Sequence, residues 1–501
     1  MPLSRREFLQ QVAALYPAGL ALAGCGRSGT TGQAAPSAGT AVESLPAPSP
    51  LVHLLKRTRF GITQADFDHA AEIGMAAYVE EQLAPASLPP DAELVAAAKW
   101  PLYPLPALLQ YSAYLSSYEL ATQHLSERTL FMASYSARQL YEVMVEFWTN
   151  HFNVENLTGE LPVLKMRDDR DVIRANALGL FRDLLFATAK SPAMIVRLDN
   201  ASNVKAAPNQ NYARELMELH TIGIDGGYDE MDVMEVARCF TGWSWDTLTR
   251  EFTFVPEAHD DGEKMVLGHT IPAGGGIADG EFVLDLLASH PSTARYLATK
   301  LVRRFVADDP PAALVTLAER TFRDSGGRIP AVLRALLLHP SFADYADAKL
   351  HRPLEYVAGA LRALSPVPLA YFGPDAMASV ERMGQRPHRW VPPDGFPDST
   401  RYWLSTVGLM ERWNFAAALC ETGFPNPPAQ NRIGAEETPA SLVDKLAAAI
   451  VHRELRPQDR ARLIAWIGNS QPDRLLRDQE LKDAADALGG VLLSSPYFVL
   501  R

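Results

Sequence analysis

Cysteine is almost absent: three in 501 residues, with no Cys-x-x-Cys and no haem-attachment pattern. A disulfide scaffold is therefore excluded. Positive charge is also scarce. The 47 Lys and Arg against 59 Asp and Glu leave a net charge of −12, which argues against a nucleic-acid partner, because such a partner requires a basic surface. Past the N-terminal region no apolar run reaches 18 residues, so no further membrane-spanning helix is expected. A nucleophile elbow and a phosphate-cradling loop are both missing, and "GGGIADG" (274–280) lacks dinucleotide-fingerprint spacing. The chain is nonetheless 47% apolar, enough to bury a core of one large or two fused domains.

The first 50 residues carry an address. Arg5 and Arg6 precede Glu7, Phe8 and Leu9 and a weak apolar stretch over 11–23. This resembles a twin-arginine export signal (residues 1–24) and is too short to span a bilayer. "LAGC" (22–25) resembles a lipobox. On that reading Cys25 is lipidated and anchors the chain to a membrane, more than one acyl chain being needed for stable attachment. Gly26 leans toward the outer membrane of a Gram-negative cell. The competing reading is an ordinary secretory signal with an incidental Cys25. Residues 25–50 are small, polar and proline-rich, a flexible tether. The expected location is periplasm or cell surface.

The body, 51–501, reads as mainly α, with a possible lobe boundary near 340–350. Thr63 caps a helix from about Ala65, and Gly74 separates it from a second ending near Leu83. Ser126 is expected to open one long helix to Phe152. Leu140, Met144, Phe147, Trp148 and His151 recur on one of its faces. A further amphipathic run follows Asp169, with Ile173, Ala177, Leu180, Leu184 and Thr188 near one side. Residues 211–221 and 231–240 read as helices. Alternation in "REFTFVP" and a turn in "HDDGEKMVLG" predict a small β-hairpin within 243–268. Helices resume near 280–288, 291–306, 311–324, 330–338, 353–364, 400–421, 439–454, 457–468 and 476–494.

Polar chemistry concentrates in "NQNYARELMELH" (209–220). At 100° per residue, Asn211, Glu215 and Glu218 share a stripe beside the apolar face. Paired carboxylates can serve as acid and base or bind a hard cation. Arg214, four residues before Glu218, offers a plain helix ion pair instead. His220 lies about 200° from Glu218 and is not part of a His-Glu-x-x-His array. Asn150 and His151 end a helix where polar groups can face a cleft, although a lone histidine on an apolar face is more often a core residue. His259 and Asp260 lie on the predicted hairpin, suited to metal binding or proton transfer and equally to an ordinary polar turn. "TIGIDGGYDEMD" (221–232) has the outline of a calcium loop but lacks acidic ligands at its first and third positions. Catalytic candidates are thus Glu215, Glu218, His151, Asn150 and Asn211. Metal candidates are His220, His259 and Asp260, with a divalent cation as the one cofactor left open.

"HLLKRTRFG" (53–61), "FWTNHF" (147–152), "NYARELMELHTIGIDGGY" (211–228), "ARCFTGW" (237–243), "HPSTARYLATKL" (290–301), "RPLEYVAGALRAL" (352–364) and "SSPYFVLR" (494–501) together resemble the bacterial family called domain of unknown function 1800. The resemblance covers about 51–501. It implies a mostly helical, often exported protein, frequently encoded beside an exported protein of the phosphatase–sulfatase type, and it transfers no reaction and no residue roles. Two functional readings follow. One is a hydrolase-like or metal-assisted envelope enzyme using the Glu/His/Asn cluster. The other is a non-catalytic helical binding or assembly module for a second exported protein.

Overall fold

The computed structural model describes residues 5–15, 44–89, 100, 102–114, 117–157, 159–364, 374–421 and 433–501. Arg5 and Arg6 begin a helix, Arg5–Leu15, whose Val12 and Leu15 are buried against the helix Asp478–Ser494. The Leu15 carbonyl there accepts from Arg456 at 3.2 Å. Cys25 and most of the expected tether lie outside the described residues.

The body is built of helices around one continuous apolar cluster that runs from Val12 to Leu500. The helix Pro50–Thr58 begins with a Ser49 cap and proline at its first position, the arrangement that satisfies orphan N–H groups and presets φ. It is buried from Val52 to Thr58. Its Lys56 reaches across the fold to the carbonyls of Tyr497 (2.7 Å) and Leu500 (2.9 Å). Residues 499–501 in turn pair with 349–351: Arg501 N–H donates to Lys349 O at 2.8 Å, and His351 N–H to Val499 O at 2.9 Å. Gly61 and Gly359 meet back to back. A Cβ on Gly61 would sit 2.5 Å from the Gly359 Cα, and one on Gly359 would sit 2.7 Å from the Phe60 carbonyl.

Thr63 and Asp66 form a reciprocal capping box, and Gly74 at φ 83° ends the helix Gln64–Ile73 before Met75–Leu83. These boundaries are as expected. The expected single helix over 126–152 is instead two, Tyr118–Tyr135 and Gln139–His151, the first capped by Ser117. Gln139 explains the break. Its amide donates to the Ala133 and Ser136 carbonyls, satisfying acceptors that a continuing helix would have used. The run after Asp169 also divides, into a π segment Asp168–Arg174 and the helix Phe181–Ala189. Between them Gly179 and Phe181 bond to Ile329 and Gly327 of a distant loop, and that tertiary pairing outweighs local periodicity.

The hairpin region holds two antiparallel pairs, Trp243–Trp245 with Phe252–Phe254 and Lys264–Val266 with His269–Ile271. A third short pair joins Glu436–Glu437 to Leu476–Arg477. In the calcium-like loop, Asp229 and Asp232 form the capping box of the helix Glu230–Cys239, which occupies their oxygens. Cys239 and Cys420 are buried and neither is in a disulfide among the described residues. Among the described residues no helix is long and apolar enough to cross a membrane.

Candidate functional site

The helix Gln139–His151 ends against the loop 390–398. Asn150 clasps Phe396 in both directions, its amide donating to the carbonyl at 2.8 Å and its oxygen accepting from the N–H at 2.6 Å. Asn153 donates to the carbonyls of Trp390 and Pro392. Gly395, at φ 77°, packs so close that a Cβ there would collide with the Asn150 carbonyl. The polar end of "FWTNHFN" therefore builds a wall. Asn150, expected as a catalytic group, has both ends of its amide committed to holding that wall.

Between this wall and the helix Pro291–Phe305 lies a cavity of about 250 Å³, lined by Glu146, His151, Tyr296, Lys300, Arg303 and Asp394 among others. His151 is 2% exposed. Its Nε2–H donates to the His220 carbonyl at 3.1 Å, so Nδ1 is the basic nitrogen. That atom is buried and meets no hydrogen-bond partner among the described residues. Burial, then Lys300 and His220, holds the imidazole well below its usual range, which keeps it neutral.

Lys300 stands one helical turn after Tyr296, its Nζ 5.4 Å from the ring centroid. Burial, then the neighbouring Arg303, lowers its ammonium to about 8 against the opposing pull of Asp398 and Asp394. Among the described residues no carboxylate lies within ion-pair distance of it. Arg303 donates only to the backbone carbonyl of Asp308, at 3.2 Å. Two cations thus face one hollow without a carboxylate partner.

The floor is a network of ion pairs. Glu146 binds Arg352 at 2.6 Å. Below it Glu355, 2% exposed in its side chain, contacts Arg304 (2.6 Å), Arg352 (3.1 Å) and Arg501 (3.1 Å). Burial opposes ionisation of Glu355, but Arg304, Arg352 and Arg501 override it and hold it well below the usual carboxylate range. Asp398 is tied to Lys349 at 3.1 Å.

"ARELMELH" approaches the cavity from the other side. Asn211–Glu215 is α-helical and Leu216–His220 is a π segment, a distortion often found at functional sites. The 100° stripe drawn from the sequence fails beyond Glu215, because the i→i+5 segment turns less per residue. His220 consequently points into the protein. It is 2% exposed, its ring 5.0 Å from Phe152 and 6.1 Å from His151, and burial followed by Lys300 lowers it to about 3. Arg214 does not pair with Glu218. It makes two bonds to Glu230, at 2.8 and 2.7 Å. Glu215 and Glu218 are half-buried. Burial, then Glu218, raises Glu215 above the ordinary carboxylate value, with Asp394 adding to the effect. Glu218 and Asp394 also act on Tyr296, which burial pushes up to about 12. The carboxylate pair is thus electrostatically coupled to Asp394 and Tyr296 of the cavity without lining it. Asn211 is exposed and donates to Asp199 at 3.1 Å.

His259 and Asp260 are elsewhere. His259 is enclosed between the Thr241 carbonyl (2.8 Å) and Asp279 (3.2 Å), and Lys264 shares that carboxylate at 2.6 Å. Asp260 pairs with Arg238 at 2.7 Å. The structure does not bring His220, His259 and Asp260 together. Among the described residues no group of three or more His, Cys, Asp or Glu side chains is placed to hold a metal ion. Trp243 is buried with Phe240 and Phe252 around it, a core residue.

Sequence reasoning missed Tyr296, Lys300, Arg303, Asp394 and Asp398. The signal present was the spacing of Tyr296 and Lys300, one turn apart in "RYLATK". The loop "WVPPDGFPDS" carried no such period. The family model described as "Protein of unknown function (DUF1800)" matches residues 53–500. No curated protein and no solved structure matches the chain.

Proposed function

The chain belongs to the DUF1800 family, and within it we propose that this member is an exported, Cys25-anchored envelope enzyme that binds an anionic substrate group in the 150/300/394 cavity. The observation that carries the reading is one hollow lined by Lys300 and Arg303, neither of which has a carboxylate within ion-pair distance among the described residues. Both cations are only partly exposed, and an incoming carboxylate, sulfate or phosphate group would supply the charge that no neighbouring carboxylate provides. Proton transfer falls to Glu215, whose raised carboxyl is suited to donate, as in a hydrolase-like site. The oxygens and nitrogens of His259, Asp260 and Asp279 are engaged by Arg238, Lys264 and backbone groups.

The test is calorimetric titration of the full-length protein in detergent with sodium sulfate and sodium acetate. Binding is expected in the native protein, with a loss of at least about tenfold in Lys300→Met, as for removal of one charge-assisted bond. Equal affinities in native and variant protein, with both melting alike, would refute the anion cleft.

A further inference from the structure

Resting on the anion-cleft reading, the geometry points to a sugar ring bearing an anionic substituent as the ligand, with the ring seated on the aromatic array beside the cavity. Phe396 lines the cavity, and its ring packs at a tilt against Trp390 at 4.9 Å and Trp403 at 6.0 Å. Trp390 meets Tyr402 edge-on at 6.2 Å, and Tyr402 meets Trp403 at 4.8 Å. This is a contiguous set of four rings that opens outward. Tyr402 is 51% exposed and Val391, beside Trp390, is 54% exposed.

The set is oriented toward the cavity and is not a loose patch. Trp390 Nε1–H donates to Asp394 at 3.0 Å, and Asp394 is a cavity residue. One carboxylate thus fixes the indole and faces the hollow with its remaining lone pairs. Around it Tyr296 and Asp398 also line the cavity, and Arg197 donates to the Val391 carbonyl beside Trp390. The exposed ring face of Tyr402, the Asp394 and Tyr296 oxygens and a cationic pocket match the three surfaces of an acidic sugar: its C–H face, its hydroxyls and its anionic group. An aromatic face provides a large, rigid, amphipathic contact for the first of these. Cavity acceptors that need donors reject a purely apolar ligand. A carboxylate and a sulfate ester share the chemistry that Lys300 and Arg303 recognise, and both are tested.

Full-length protein in detergent is titrated, following tryptophan fluorescence and heat, with four probes: an oligogalacturonate, a chondroitin sulfate oligosaccharide, a neutral cello-oligosaccharide and sodium sulfate alone. One of the two acidic oligosaccharides is expected to bind about tenfold or more tighter than sulfate and than the neutral chain, a gain typical of aromatic contact. The one that does so identifies the anion. Tyr402→Ala and Trp390→Ala are expected to lose that gain and keep sulfate affinity, and Trp390→Phe to retain most of it. If sulfate binds through Lys300 while neither acidic oligosaccharide gains, or while Tyr402→Ala and a folded Trp390→Ala bind it as the native protein does, the sugar inference is overturned and the anion cleft stands. If sulfate itself does not bind, both fall.

Discussion

Lys300 owes its character to where one helix turn places it. Burial weakens the ammonium, Arg303 adds repulsion, Asp394 and Asp398 restore part of the loss, and neutral His151 and His220 stand nearby. The amine titrates at about 8. Anion binding requires its protonated form, so affinity should be level below pH 8 and fall by up to about tenfold per pH unit above it. Calorimetry with sulfate from pH 6 to 10 reads this directly. The same titration in Lys300→Arg, whose guanidinium stays charged throughout, should show no fall. At this scale the sequence singled out Asn150 and His151, which line the hollow, and Glu215 and Glu218, which do not. The roles were less legible. Asn150 proved to be a clasp, and Lys300 was passed over because an isolated lysine in a sequence reads as solvated until its neighbours are known.

Elements were legible wherever their signals are local. The Thr63–Asp66 cap, the Gly74 stop and the proline-led helices at 291, 353, 439 and 457 follow from residues within one turn of each other. The failures share one cause. Gln139 ends a helix by bonding back to Ala133, Gly179 leaves its run to pair with residue 329, and the π segment Leu216–His220 has no compositional mark. Each is decided by a partner or a geometry that periodicity does not encode. The Gly61–Gly359 contact belongs to this scale too. Either glycine replaced by alanine forces the helix Pro353–Leu364 away from Phe60. Gly61→Ala is expected to cost about 1–3 kcal/mol, the usual penalty of overpacking, measured as a lowered urea midpoint with unchanged slope. An unshifted midpoint would show that the two segments part easily.

Across the whole molecule the cavity floor is a charge cluster drawn from distant segments: Glu146, Arg304, Arg352, Glu355 and Arg501. Glu355→Ala leaves three guanidinium groups without their common anion and should cost about 3–5 kcal/mol, as breaking a buried pair does, seen in thermal or chemical melts. The pH dependence follows with a definite sign. The Glu355 carboxyl lies well below its ordinary value in the folded protein, so its stabilisation is present above the unfolded value near about 4.3 and is lost as pH falls below it. Acidification should therefore cost the native protein more stability than a Glu355→Gln variant, which has no such proton to take up, so that the native advantage seen at neutral pH shrinks and the two melting temperatures converge as pH falls.

The grip of Lys56 on Tyr497 and Leu500, with Arg501 set against Glu355, has a consequence for how the molecule is made. On the ribosome, the first body helix and the central glutamate emerge while their partner strand is still untranslated. Closure of the core is then a late, single event that waits on the 496–501 stretch, and until then the nascent polypeptide is a client for holding chaperones.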